Sequence, residues 1–129
     1  MANIRLTVVV RKDLQLSPGL LAAQVSHMAD AFMRQIILKN ELELVCAPTK
    51  QEADWCKEPY LSVLAVNSYE DLKEIKEHAE REKLPLNCWK DLVSSPTFPD
   101  RSIKAFVGIA IGPADFDKIK IVTGGLDLY

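Results

Sequence analysis

A chain of 129 residues with 48% apolar and 26% charged side chains has the size and balance of one globular domain, which excludes a disordered, collagen-like or coiled-coil protein. Sixteen basic against eighteen acidic side chains leave a formal charge of −2, so no bulk field draws the whole surface to phosphate and any nucleic-acid site is a local patch. The longest weakly charged run, Leu14 to Met33, contains Gln, Ser, Pro, Gly and His and makes a poor membrane span; the opening Met-Ala-Asn-Ile-Arg lacks the features of a signal peptide, so a cytoplasmic protein is expected.

Ile4 to Val10 is β-branched and nearly continuous in apolar character, which suits a central strand covered on both faces. After the loop Asp13 to Leu16, Ser17-Pro18 offers an N-cap hydroxyl and a proline at the first helical position. The stripe Leu21, Ala22, Val25, Met28, Ala29, Phe32, Ile36 and Ile37 carries that helix to near Asn40. From Glu41 to Glu58 the pattern weakens and reads as irregular, with room for a short helix that turns Ala53 and Trp55 inward. Tyr60 to Val66 reads as a strand, and Ser68 caps a solvated helix through Glu82. Leu86 to Lys90 forms a short strand before the turn-rich loop Ser94 to Asp100. Ile103 to Ile111 is another almost continuous apolar strand, adjacent to the first at the sheet centre. Gly112-Pro113-Ala114 turns from it into a helix favoured by Asp115 and Asp117, and Leu126 to Tyr129 is a terminal strand. This order predicts a single α/β domain spanning 1–129, a three-layer α/β/α sandwich with a mixed, mostly parallel sheet of four to five strands.

In open α/β sheets, ligands bind beyond the carboxyl ends of the strands. Three segments qualify by position: Arg11-Lys12-Asp13 with Gln24 and His27 on the following helix, Lys90-Asp91 with the loop after it, and Gly112-Pro113-Ala114. Gln24 and His27 are i and i+3 and share a helix face. Arg11 at a strand end can seat a phosphate bidentately or simply be a solvated charge, and Asp91 either caps a turn or serves as a general base near His27. Cys46, Cys56 and Cys88 form no C-x-x-C pair and have no close histidine partners, so they read as reduced thiols and no metal site is expected. No Walker loop, G-x-G-x-x-G, H-E-x-x-H or G-x-S-x-G is present.

Val8 to Leu14, Gly19 and Ala22-Ala23-Gln24-Val25-Ser26-His27 resemble the opening of the peptidyl-tRNA hydrolase type II family. Ile111-Gly112-Pro113-Ala114 and Val122 to Tyr129 are similar to that family's ending. The resemblance implies an α/β/α sandwich, often a homodimer, that hydrolyses the ester between a stalled peptide and the tRNA 3′ end without metal or cofactor. It carries Asp13, Gln24, His27 and Asp91 onto the family's catalytic positions. Arg11, Lys12, Arg101 and Lys104 are the candidates for holding the tRNA acceptor end, and with Lys90 they would form a basic patch. Leu20 stands where the family's loop lysine is expected, the run after Asp91 departs from the family's D-A-G-R-T-Q segment, and Val107 or a neighbour replaces a threonine. Two functions follow: a divergent peptidyl-tRNA hydrolase of weakened activity, or a non-hydrolase member of the fold serving as a binding module or acting on another small substrate.

Overall fold

The computed structural model describes residues 3–43, 49–92 and 104–129. Strand β1 (Ile4–Arg11) leads through a 3-10 turn (Lys12–Leu14) into helix α1 (Pro18–Glu43). The Ser17 hydroxyl accepts from the Leu20 amide at 3.3 Å, the cap expected from Ser17-Pro18. Helix α2 (Lys50–Lys57), strand β2 (Tyr60–Val66), helix α3 (Tyr69–Arg81) and strand β3 (Leu86–Leu92) follow, then strand β4 (Lys104–Asp115), helix α4 (Phe116–Thr123) and the two-residue strand β5 (Asp127–Leu128). The turn-rich loop Ser94 to Asp100 lies outside the described residues, as does Arg101.

Five strands form one sheet in the order β3-β4-β1-β2-β5. The two apolar runs are adjacent at its centre, with Val9 opposite Ile109. Leu6, Val8, Val10, Val107 and Ala110 face one side with Met28 of α1 and Trp55 of α2. Val9, Ile109 and Ile111 face the other, against Leu72 and Ala79 of α3 and Ile119 and Val122 of α4. Burial on both faces is why β1 reads as unbroken apolar sequence rather than as an alternation.

The sheet is mixed but not mostly parallel. Only β1 and β2 run parallel, and β1/β4, β2/β5 and β3/β4 are antiparallel. A buried antiparallel strand between two helical layers has the same apolar sequence as a parallel one, so composition gives no direction. Since β4 opposes both β1 and β3, the carboxyl ends of β1, β2 and β3 share one end of the sheet with the amino end of β4.

The Gly112-Pro113-Ala114 segment therefore lies elsewhere. It belongs to β4 and is buried at the opposite end, where Ala114 pairs with Arg5, so it does not join the strand ends that carry the other candidates. A register shift between Arg5 and Thr7 accommodates the proline, whose missing N–H a bulge tolerates. Gly112 has φ 113°, and a Cβ there would meet the Arg5 carbonyl oxygen at 2.5 Å. The helix begins later than the sequence suggests, with Asp115 as N-cap accepting from the Asp117 amide.

The segment read as irregular contains α2, closed at its start by Thr49 and Glu52, whose side chains each accept the other's backbone N–H. Trp55 turns inward as expected, and its indole donates to the Tyr60 carbonyl at 2.8 Å, tying α2 to β2.

Candidate functional site

The strand ends position two groups of side chains, one on each face of the sheet. On the α1 face, Trp89 and Asp91 stand two residues apart on β3 and so point the same way. Strand β3 runs two residues beyond the expected Lys90, which puts Asp91 on a paired strand rather than in a loop. Opposite them lie Gln24 and His27 on one face of α1. The Gln24 side chain, only 2% exposed, accepts from the Trp89 indole at 2.5 Å through Oε1 and donates to the Asp91 carboxylate at 3.3 Å through Nε2. These two bonds fix which end of the amide points where. His27, at the surface, stacks on the Trp89 ring with centroids 5.2 Å apart and planes 19° from parallel.

The close approach of α1 to this end of the sheet depends on β4. Between Trp89 and Lys90 the register slips, leaving Val107 as an extra residue on β4. At Gly108 a Cβ would sit 2.4 Å from the Val9 carbonyl oxygen and 3.3 Å from the Met28 sulfur. Glycine lets the fully buried Met28 settle against the sheet one turn from Gln24.

Arg11 and Asp13 lie at the end of β1. The Arg11 side chain is buried, and its guanidinium makes a forked pair with the Asp13 carboxylate at 2.8 and 3.1 Å while its third nitrogen donates to the Phe106 carbonyl at 3.1 Å. This is an anchor joining β1, its following turn and β4; Arg11 spends donors internally that a phosphate ligand would need. Lys12 is exposed beside it and lines a cavity of about 240 Å³ at the ends of β1 and β2 with Asn67, Asp71, Glu74 and Asp127. Three carboxylates against one lysine make that cavity a poor phosphate site. Lys90 projects from β3, and Lys104 opens β4 opposite Leu92, so Lys12, Lys90 and Lys104 belong to the same end of the molecule. Among the described residues no group of histidine, cysteine, aspartate and glutamate has the arrangement of a metal site.

Of the residues singled out in the sequence, the fold brings Gln24, His27 and Asp91 together, and it adds Trp89, which bonds Gln24 and stacks on His27. The period-two alternation of β3 with Asp91 was the available signal. Leu20 is half-buried and packs against the α1-side core.

A family model described as peptidyl-tRNA hydrolase PTH2 matches residues 4–129. The chain belongs to the PTH2 family. It is 34% identical to the mitochondrial peptidyl-tRNA hydrolase 2 of Bos taurus over 125 residues, covering 97% of this chain and 64% of that protein. It thus spans less than two thirds of that relative's length. The peptidyl-tRNA hydrolase of Nanoarchaeum equitans is 31% identical over 124 residues, with 95% of this chain and 96% of that one covered. A solved structure of a protein of unknown function from Agrobacterium tumefaciens shares the fold, with a TM-score of 0.60 at 15% identity over 100% of this chain and 99% of the other. The PTH2 match covers both layers of helices and all five strands.

Proposed function

We propose that this PTH2 protein hydrolyses the ester of peptidyl-tRNA, with Asp91 as the base that activates water. The observation that carries the reading is the buried amide of Gln24, held between the Trp89 indole and the Asp91 carboxylate in a chain that matches the family model from end to end. A general base needs a fixed direction, and the Gln24 amide donating to the Asp91 carboxylate helps to fix it. His27, exposed and stacked on Trp89, assists proton transfer, and Asp13 acts indirectly by fixing Arg11. In this reading Lys104 and Arg101 supply acceptor-stem contacts, whereas Arg11 serves as a structural post and Lys12 stands among carboxylates.

In this reading the protein acts in the cytoplasm as a homodimer and uses neither metal nor cofactor. No helix among the described residues is long and apolar enough to cross a membrane. The decisive experiment incubates the purified protein with N-blocked aminoacyl-tRNA and follows ester loss in the presence of a chelator, with Asp91→Asn as the comparison. Loss of turnover in Asp91→Asn supports the assignment, and equal turnover by both proteins refutes it. Light scattering of the same preparation tests the dimer.

One observation favours the second reading, a family member without hydrolase activity. Leu20, where the resemblance expects the family's loop lysine, is apolar and packs against the core, so it offers the oxyanion no charge. tRNA binding without any ester loss would select that reading.

A further inference from the structure

The opposite face of the sheet, under α3, carries a further group of side chains. Tyr69, the first residue of α3, is 40% exposed, and its ring centroid lies 6.1 Å from that of Phe106 on β4, with planes 31° apart. These rings, with Leu72 and Ile109, line a cavity of about 160 Å³ whose rim carries Lys73 and Lys76. Lys90 reaches over Phe106, its Nζ 5.1 Å from the ring centroid. Glu80 holds Lys76 at 2.6 Å, and Glu77 also stands on the rim. Among the described residues, Lys73 and Lys90 are in no ion pair, which leaves them to meet an anion.

We propose that this cavity binds one nucleobase of a single-stranded RNA end, stacked on Tyr69 and Phe106, with the adjoining phosphates on Lys73 and Lys90. Whole-ligand pockets run to roughly 300–1,000 Å³, so a cavity this small takes one planar heterocycle rather than a complete ligand. An aromatic floor beneath a cationic rim is the chemistry that captures a base together with its phosphate. The position gives it a use. Lys90 and Asp91 are consecutive on β3 and project to opposite faces, so a strand crossing the end of the sheet has a base seated on one side while its terminal ester meets Asp91 on the other. That RNA rather than a free mononucleotide supplies the base rests on the peptidyl-tRNA reading.

The test measures anisotropy of a labelled single-stranded RNA hexanucleotide on the full chain, with adenosine monophosphate as competitor. Tyr69→Ala is expected to weaken binding about 5- to 150-fold, the range for losing one base–aromatic stack, while Tyr69→Phe binds as the parent does. Lys73→Ala is expected to lower the slope of log affinity against log salt by about 0.7. Unchanged affinity in Tyr69→Ala, with its circular dichroism and thermal midpoint matching the parent, overturns the proposal. If that variant does not fold, comparison of the hexanucleotide with an abasic analogue on the parent protein decides: equal affinity overturns the proposal and a preference for the base supports it. Binding of adenosine monophosphate as tight as that of the hexanucleotide overturns the RNA assignment. Ester loss from N-blocked aminoacyl-tRNA, followed on the same variants, separates the two readings. Tyr69-dependent RNA binding without ester loss leaves the base pocket and removes the hydrolase; ester loss with KM unmoved by Tyr69→Ala does the reverse.

Discussion

Replacing Gln24 tests the site where burial and hydrogen bonding meet. In Gln24→Leu the volume is nearly kept while both polar contacts disappear, stranding the Trp89 indole N–H and removing the donor to Asp91. A fully buried donor left unpaired costs about 1–3 kcal/mol; because Trp89 is half-buried, water recovers part of this, and about 1–2 kcal/mol remains. The 3.3 Å bond to Asp91 is long and adds little. Gln24→Ala opens a gap beside Met28 as well, adding about 1 kcal/mol. For a domain of this size Gln24→Leu is expected to lower the thermal midpoint by about 3–10 °C, with Gln24→Ala lower still. Urea unfolding followed by tryptophan fluorescence gives the free energies. If Gln24 acts through Asp91, kcat falls in Gln24→Leu with KM little changed, and Gln24→Leu/Asp91→Asn loses no more than Asp91→Asn alone. A Gln24→Leu protein within 0.5 kcal/mol of the parent by this estimate of the polar contribution, with unchanged kcat, would refute the reasoning.

Gly112→Ala is expected to destabilise the fold by at least about 2 kcal/mol, because its positive φ and the Arg5 carbonyl both oppose a Cβ; a midpoint equal to the parent's would exclude strain at this bulge. Leu20→Lys should cost only about 0.5–1.5 kcal/mol, its alkyl stem lying along the core edge, and should raise ester hydrolysis toward the about 10²–10³-fold that one oxyanion-stabilising group supplies. No gain in the folded variant would show that another part of the site limits turnover. Burial pushes the Tyr129 phenol above its ordinary range. The neutral phenol's contribution to stability is present below the unfolded value near pH 10 and is lost as pH rises through the raised folded value. The parent should therefore lose urea resistance relative to Tyr129→Phe as pH rises past about 10; an unchanged difference between the two proteins would count against it.

Element identity was legible wherever local chemistry decides it. Ser17-Pro18 and Ser68 mark helix starts, and the unbroken apolar runs of β1 and β4 mark strands buried on both faces. Strand direction was not legible, since a two-sided environment selects the same residues in either orientation. Gly112-Pro113 was misplaced for a related reason: Gly-Pro is turn chemistry in isolation, and only pairing with β1 reveals it as a bulge inside a strand. In the site, Gln24 and His27 were readable from helical spacing and Asp91 from the resemblance. Trp89 escaped because an aromatic in a short strand reads as core. The internal use of Arg11 was equally hidden, since its carbonyl partner, Phe106, is 95 residues away.

The strand order also bears on how the chain assembles. Its central pairing joins Val9 to Ile109, a hundred residues further on, while the first helices and β2 are complete much earlier. Until β4 arrives, β1 has one open edge and both faces of an apolar strand to protect. Closing so long a loop late slows folding and leaves that edge exposed to self-association in the interim. During synthesis β1 and β2 therefore emerge well before β4, the strand that pairs with β1 at the centre of the sheet and joins β3 to it.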